Sequence, residues 1–361
     1  MTQKLSDTIT FPRGPAMKNR FMLAPLTNFQ SHADGTLSDD EYRWLVKRAT
    51  GGFGLTMTCA AHVQPGGQGF PGQLGIWSDK HLPGLERLAK GIRAEGSISS
   101  VQVQHSGLRA EPKLSGLPRV APWDDADSGA RALTTGEVEQ LVEDFILASL
   151  RAERAGFDGV ELHGAHGYLL CEFLDPVHNQ RADRYGGSFE NRTRIFWEII
   201  DGIRSRAGKD FQVGVRISPE RFDIDIAEAR SFAQQLMTSG KIDYLDMSLW
   251  DCFKEAVDPA FQGRPLIDLF TELECGGTPL GVAGKIMDAA TAQKCLEHGA
   301  DFVLIGRGAI LHHDFPKRAI ADAAFQSVER PVTRDYLRSE GLGEAFVEYM
   351  ATGWKNFVAA D

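Results

Sequence analysis

Residues 134–163, TTGEVEQLVEDFILASLRAERAGFDGVELH, contain the clearest helix-to-strand unit of the chain. Thr134 and Glu137 have the spacing of a capping box, which predicts that a helix begins there. Apolar side chains then recur at helical spacing as far as Gly156, where we expect the helix to end. The apolar run Gly159–His163 predicts a parallel strand that is buried on both faces. A helix followed by such a strand is the repeating unit of α/β folds.

The same alternation extends over most of the chain. A helix is predicted from Asp288 to Gly299, for example, between two apolar runs. Eight strands that alternate with helices favour a closed (β/α)8 TIM barrel in a single domain over residues 1–361. An open doubly wound sheet is the alternative, but no G-x-G-x-x-G motif follows the first strand. The predicted strands are Phe21–Leu26, Phe53–Cys59, Ser99–Gln104, Gly159–His163, Gln212–Ile217, Tyr244–Ser248, Leu280–Ala283 and Phe302–Ile305.

Two segments depart from this repeat. Residues 106–133 are rich in Gly, Pro and charge, and predict a long loop after strand three. Residues 324–361 form a C-terminal extension that is too apolar for a disordered tail. We expect this extension to pack on the barrel or on a partner subunit of a homo-oligomer.

Composition excludes several classes of function. The net charge of −10 argues against general binding of nucleic acid and of anionic membrane surfaces. The five cysteines are odd in number and form no C-x-x-C pair, which argues against a disulfide framework and a cysteine-bound metal. No apolar run follows Lys4 as in a signal peptide, and none is long enough to span a bilayer. These features favour a cytoplasmic protein.

Basic residues beside glycines follow the last two predicted strands. Gly284 and Lys285 follow strand seven, and Gly306, Arg307 and Gly308 follow strand eight. Loops seven and eight are the usual phosphate site of this barrel, because glycines let backbone N–H groups approach an anion. The alternative is that these are turn glycines beside solvated basic side chains. We favour a phosphate site.

Two histidines and a tyrosine follow strand four, namely His163, His166 and Tyr168. The histidines could be structural, or they could bind a metal ion with Asp175 or His178 as a third ligand. They could instead donate hydrogen bonds to a substrate oxygen while Tyr168 supplies a proton. The residues alone leave these interpretations open.

Arg216 ends predicted strand five, and Gln102 and His105 flank the end of strand three. An inward arginine at a barrel mouth requires an anionic ligand or an ion pair with Asp or Glu, because an unpaired buried charge is costly. The residues therefore predict a phosphate-bearing ligand beside a His, His, Tyr and Arg site. They do not identify a flavin.

Residues 161–192, ELHGAHGYLLCEFLDPVHNQRADRYGGSFENR, resemble the old yellow enzyme family of FMN-dependent oxidoreductases. The strongest match is the pair of motifs DRYGGS at 183–188 and ENR at 190–192. Further segments match in order, and the resemblance covers about residues 10–320. They are APLTN at 24–28, QVQHSG at 102–107, VGVRIS at 213–218 and IGRG at 305–308.

The resemblance implies one FMN at the C-terminal mouth of the barrel. Thr27 is expected to bond the O4 region of the flavin, and Arg216 to lie near N1 and O2. Thr27 stands where one branch of the family has a redox-active cysteine, and Asn28 stands where that branch has tyrosine. The implied contacts are Ala24, Pro25, Leu26, Thr27, Ala60 and Gln102 for the ring, and Gly284, Lys285, Gly306 and Arg307 for the phosphate.

The resemblance also implies an activity, the reduction of activated alkenes such as α,β-unsaturated carbonyl or nitro compounds. NADPH or NADH would reduce the flavin, whose N5 would pass hydride to the substrate. His163 and His166 would hold the substrate oxygen, and Tyr168 would protonate the carbon. The alternatives are an FMN barrel dehydrogenase that oxidises a cyclic amine or ketone, and a metal-dependent lyase or hydrolase that uses both histidines.

Overall fold

Eight parallel strands close into a barrel in the computed structural model, which describes residues 3–360. Each strand pairs with its neighbours in sequence, and the last pairs with the first, Phe21 opposite Val303. The predicted (β/α)8 TIM barrel is therefore confirmed. The strands are β1 Phe21–Leu23, β2 Leu55–His62, β3 Ile98–Gln104, β4 Gly159–Gly164, β5 Gln212–Ile217, β6 Tyr244–Ser248, β7 Leu280–Ala283 and β8 Phe302–Ile305.

Helices surround the barrel, and none among residues 3–360 is long and apolar enough to cross a membrane. The predicted capping box is present, since the Thr134 hydroxyl accepts from the Glu137 N–H and the Glu137 carboxylate accepts from the Thr134 N–H. The helices are α1 Asp39–Thr50, α2 Leu82–Ala94, α3 Pro112–Ser115, α4 Thr135–Arg154, α5 Leu169–Leu174, α6 Phe189–Arg206, α7 Ile226–Thr238, α8 Asp268–Thr271, α9 Ala289–Glu297, α10 Arg307–Leu311, α11 Phe315–Ala321, α12 Arg334–Ser339 and α13 Glu344–Gly353.

The first strand is shorter than predicted. It ends at Leu23, and Ala24 makes one more bond, from its N–H to the Ile305 carbonyl at 3.1 Å. Pro25 then lacks the N–H that a further ladder bond would need. The chain leaves the sheet there, and residues 24–27 line the mouth of the barrel.

The amino-terminal segment closes the other end of the barrel. Ile9 and Met17 exchange two backbone hydrogen bonds in a hairpin. The Phe11 ring lies 5.7 Å from that of Tyr244 and 6.2 Å from that of Phe302, measured between centroids. Tyr244 and Phe302 are the first residues of their strands, so this apolar plug leaves the C-terminal mouth as the open end.

The two segments outside the repeat are ordered. Residues 106–133 hold α3 and a short pairing of Val120–Ala121 with Arg131–Ala132. The C-terminal extension contacts the barrel, since the Phe346 ring lies 4.9 Å from that of Trp44. A single domain over residues 1–361 stays a prediction, and residues 1–2 and 361 lie outside the described part.

Candidate active site

A cavity of about 340 Å³ opens at the C-terminal ends of the strands. Eleven of the predicted site residues line it: Ala24, Pro25, Leu26, Thr27, His166, Tyr168, Arg216, Gly284, Lys285, Gly306 and Arg307. The other three, Ala60, Gln102 and His163, do not line it. Gln102 is fully buried and donates to the Glu161 carboxylate at 2.8 Å. The sequence therefore predicts the location of the cavity and half of the residues that line it.

His163 and His166 contact each other directly. His163 lies in β4, and His166 follows in a turn whose φ of +66° is unusual for a side-chain-bearing residue. Nε2 of His163 lies 3.0 Å from Nδ1 of His166, and Nε2 of His166 lies 2.7 Å from the Ser248 hydroxyl. Of the four ring nitrogens of this pair, only Nδ1 of His163 is buried without a hydrogen-bond partner. One oxygen can be held by both rings only if their mutual hydrogen bond breaks.

Both histidines are neutral at physiological pH. Burial lowers the pKa of each imidazole well below 6.5, and the nearby Arg216 guanidinium lowers it further. A neutral imidazole donates from one ring nitrogen and accepts at the other. The pair therefore presents N–H dipoles rather than positive charges.

Tyr168 follows the histidines as the N-cap residue of α5, with its ring centroid 4.9 Å from that of His163. Burial raises the pKa of its phenol above 10, while the Arg109 guanidinium opposes that rise. The phenol therefore keeps its proton at neutral pH. A protonated hydroxyl on the wall of a cavity is suited to act as a general acid.

Arg216 forms a buried ion pair in β5. Its Nε lies 2.9 Å from Oδ2 of Asp246 on β6, although the N–H is not aligned for a hydrogen bond. Its Nη2 donates to the Ser248 hydroxyl at 3.3 Å. The structural ion pair considered from the sequence is therefore present. Arg216 nevertheless lines the cavity, so the pair does not exclude a ligand contact.

A second carboxyl group, that of Glu161, lies in the same buried cluster. Burial raises its pKa to about 8, with a further contribution from Asp246, while Arg216 and Gln102 oppose the rise. Burial also raises the pKa of Asp246 to about 6, against the opposing Arg216 charge. At pH 7 Glu161 therefore keeps its proton, and Asp246 is the ionised partner of Arg216.

The other end of the cavity carries basic groups at the start of α10. Burial and the nearby Arg330 charge lower the pKa of Arg307, and Arg307 forms no ion pair within residues 3–360. Gly306 lies in open space, since an added Cβ would meet nothing closer than Leu26 at 3.7 Å. Lys285 is less free, because its Nζ lies 2.9 Å from Asp251. A half-buried guanidinium without a carboxylate partner beside accessible backbone is suited to bind phosphate.

The wall fits a flavin nucleotide, whose anionic phosphate and polar ring need different partners. The cavity wall offers Arg307, which forms no ion pair within residues 3–360, and apolar groups from Ala24 and Leu26. Arg216 adds a second cation, on a strand three places around the barrel from the one before Arg307. Two cations and an apolar surface are the kinds of partner that a phosphate and a flavin ring need.

Metal ligation by His163 and His166 is not supported. Among residues 3–360, the one group with three ligand atoms close enough together is Asp175, His178 and Asp223. Asp175 already accepts from His178 at 2.8 Å and from two backbone N–H groups. The proposed third ligands therefore pair with each other and do not join the histidine pair.

Asn28 is fully buried, so its replacement of a tyrosine does not shape the cavity wall. Its side chain donates to the buried Glu41 carboxylate at 3.1 Å. Several residues missed from the sequence also line the cavity: Arg109, Ser248, Trp250, Tyr349, Met350 and Trp354. Ser248 and Trp250 carried a signal, because they lie at and just after the end of β6. The C-terminal three were indicated only by the apolar character of their segment.

Comparison with known proteins gives consistent results. Residues 9–324 match the sequence model of the NADH:flavin oxidoreductase / NADH oxidase family. The chain is 38% identical to a probable NADH-dependent flavin oxidoreductase, YqiG, of Bacillus subtilis. The alignment spans 316 residues and covers 84% of each chain. It is 33% identical to an NADPH dehydrogenase of the same organism, over 92% of this chain and 98% of that one.

Longer relatives and solved structures are also similar. The chain spans 40% of an NADH:fumarate oxidoreductase of Klebsiella pneumoniae, with 32% identity. The old yellow enzyme homologue of Zymomonas mobilis superposes with a TM-score of 0.80 and 27% identity, over 96% of this chain and 99% of that one. Morphinone reductase superposes with a TM-score of 0.78 and 26% identity, over 99% of each chain.

Proposed function

Because the chain belongs to the NADH:flavin oxidoreductase / NADH oxidase family, we propose that it reduces activated carbon–carbon double bonds. It is an NAD(P)H-dependent, FMN-binding oxidoreductase related to old yellow enzyme. The proposed substrates are α,β-unsaturated carbonyl or nitro compounds. The observation that carries this proposal is that neutral His166 and protonated Tyr168 share a wall of the cavity that holds Arg216 and Arg307.

The cavity residues divide into two ends in this proposal. FMN, when bound, takes up hydride from the nicotinamide and delivers it to the alkene. Arg216 balances negative charge at the pyrimidine end. Gly284, Lys285, Gly306 and Arg307 would hold the phosphate, and Ala24, Pro25, Leu26 and Thr27 would hold the ring. The family resemblance adds Ala60 and Gln102 as further contacts of the ring.

His163 and His166 hold the carbonyl or nitro oxygen of the substrate. They exchange their mutual hydrogen bond for bonds to this oxygen, and so stabilise the negative charge that develops on it. Donors fixed in place before the reaction contribute on the order of 3 kcal/mol each to such a transition state. Because both imidazoles are neutral, they place no positive charge beside the substrate oxygen before negative charge develops on it.

Tyr168 donates the proton that the substrate carbon requires. Its raised pKa keeps the hydroxyl protonated throughout the neutral range. Arg109 lies with its Cζ 5.5 Å from the centre of the Tyr168 ring and stabilises the phenolate that remains. A positioned general acid of this kind contributes roughly 100-fold or more to the rate.

The two half-reactions, followed separately without oxygen, test this proposal. We expect Tyr168→Phe to slow reoxidation by cyclohexenone about 100-fold, while reduction by the nicotinamide stays close to wild type. Tyr42→Phe removes a hydroxyl on α1, outside the cavity, and is the matched control. Equal slowing of both half-reactions in Tyr168→Phe would contradict the proton-donor role.

Turnover assays test the proposed substrate class. Turnover of enones, maleimides or nitroalkenes with NADPH or NADH would support alkene reduction. Failure with every activated alkene, together with reduction of the flavin by a cyclic amine or ketone, would overturn it in favour of a dehydrogenase. Purified protein that binds no FMN would refute the proposal altogether.

A further inference from the structure

Two arginines and three aromatic rings form a continuous stack along the rim of the cavity, which we call the rim ladder. Its members, in order, are Tyr168, Arg109, Phe222, Trp250 and Arg221. The Cζ of Arg109 lies 5.5 Å from the Tyr168 ring centre and 5.3 Å from that of Phe222. The Phe222 and Trp250 rings are 6.5 Å apart, and the Cζ of Arg221 lies 4.2 Å from the Trp250 ring.

The backbone is strained where it carries the rim ladder. Arg221, Phe222 and Asp223 have φ angles of 71°, 54° and 58°, and Trp250 has 62°. Left-handed residues with side chains cost on the order of 1–2 kcal/mol each. Phe222 also packs over Gly167, where an added Cβ would come within 2.8 Å of its ring. Such strain concentrates at functional sites, and the barrel itself does not require it.

The arginines of the rim ladder have no carboxylate partner. Neither Arg109 nor Arg221 forms an ion pair within residues 3–360. Two nearby acids are already engaged, Glu220 with Lys254 in an ion pair and Asp251 with Lys285 at 2.9 Å, while the exposed Asp223 lies 3.9 Å from Nδ1 of His178. Burial raises the pKa of the Glu172 carboxyl well above 4.5, although the Arg109 charge opposes that rise. The rim ladder therefore carries two guanidinium charges that no carboxylate within residues 3–360 pairs with, although the net charge of the chain is −10.

Stacked guanidinium groups keep their in-plane N–H groups free, and these match the two oxygens of a carboxylate. The rim ladder also lies next to the histidine pair, since the His166 and Trp250 rings are 5.9 Å apart. A carboxylate bound there would belong to the molecule whose oxygen the histidines hold. Arg307, the cation assigned to the FMN phosphate, is a separate group of the same cavity.

We propose that Arg109, which lines the cavity, binds a carboxylate on the alkene substrate, remote from its double bond, and that Arg221, two rings further along the rim ladder, adds positive charge to the same rim. This inference rests on the proposed function and narrows it to anionic activated alkenes. The aromatic members of the rim ladder pack against the carbon skeleton between the two polar groups. The phosphates of the nicotinamide are another source of anionic oxygen, and the experiment distinguishes the two.

A pair of phenols tests binding without turnover. We expect 4-hydroxybenzoate to bind the oxidised, FMN-loaded enzyme at least about tenfold more tightly than 4-hydroxybenzamide, by calorimetry, since one charged hydrogen-bonded contact is worth about 1.5–3 kcal/mol. In the double variant Arg109→Met and Arg221→Met this preference should vanish. Arg206→Met, which changes an exposed arginine that pairs with Glu143, should retain it. Equal preference in wild type and double variant would overturn the inference.

A pair of maleimides tests the same contact during turnover. Dithionite-reduced enzyme is mixed with N-carboxymethylmaleimide or N-methylmaleimide, so that no nicotinamide takes part. We expect the double variant to raise the half-saturating concentration of the acid, relative to that of the neutral compound, about tenfold or more. An equal rise for both compounds would overturn the inference.

The remaining outcomes separate the two proposals. If neither maleimide is reduced while the benzoate preference persists, alkene reduction fails and the carboxylate site stands. If both maleimides are reduced without preference, the carboxylate site fails and alkene reduction stands. If the double variant weakens only the binding of NADPH or NADH, the rim ladder binds the phosphates of the nicotinamide cofactor and the inference is overturned.

Discussion

Replacing Glu161 by glutamine should stabilise the folded protein above pH 6.5. The Glu161 carboxyl is fully buried, and its pKa is raised to about 8 because burial and the Asp246 charge disfavour ionisation. In the unfolded chain the same group is ionised above its ordinary pKa of 4.5. Folding at neutral pH must therefore bind a proton, and the amide that replaces this carboxyl in Glu161→Gln would not need one.

The sign and size of this effect follow from proton linkage. Between pH 4.5 and 8 the folded state binds the proton of Glu161 and the unfolded state does not. Stability therefore falls as pH rises through this window, by about 1.4 kcal/mol per pH unit. From pH 6.5 to pH 8 the wild type should lose about 2 kcal/mol that the variant keeps. The new amide can still accept from Gln102 through its oxygen.

The assay is guanidinium unfolding at several pH values with saturating FMN, followed by tryptophan fluorescence. The difference in unfolding free energy between variant and wild type is the relevant quantity, because other titrating groups cancel in it. Glu190→Gln, which changes an exposed carboxylate at the start of α6, is the control and should show no such trend. A difference for Glu161→Gln that stays constant between pH 6.5 and 8 would refute the reasoning.

Three further predictions concern stability and cofactor binding. Arg48→Met should cost about 3 kcal/mol in urea unfolding, because the buried guanidinium satisfies the carbonyls of three residues, including Ala309 in α10. Burial lowers the pKa values of His62 and His105 to about 4 and about 3. The unfolding free energy should therefore decrease as the pH is lowered from 6.5, by up to about 1.4 kcal/mol per pH unit for each histidine. His62→Gln should reduce this dependence on pH. Arg307→Met should weaken FMN binding about tenfold or more, seen as released flavin fluorescence; unchanged affinity would exclude Arg307 from the phosphate site.

Much of the fold could be predicted because buried parallel strands are apolar without interruption. Four strands, β5 to β8, have the predicted bounds. The errors lie where hydrogen bonding and not composition decides. Residues 24–26 are apolar like a strand, yet Pro25 ends the ladder there. Likewise β2 continues to His62 because its neighbour β3 still supplies partners.

The site was less predictable, because half of it depends on contacts between distant segments. The residues after each strand could be placed at the mouth, since strand ends converge there. Tyr349 and Trp354 reach the same cavity from the C-terminal extension, which has no repeat to locate it. Glu161 and Asp246 did carry a signal. A carboxylate within an apolar strand needs a cation or a proton, and Arg216 in the intervening strand supplies the cation.

The C-terminal helix α13 and the residue after it supply Tyr349, Met350 and Trp354 to the cavity wall. None of the three belongs to the strands that pair around the barrel. Mutations there can reshape the space offered to substrates while the barrel ladder and the histidine pair keep their geometry. The C-terminal residues that shape the substrate space and the barrel residues that carry the proposed chemistry can therefore be mutated separately. Selection, natural or in the laboratory, can change the first without rebuilding the second.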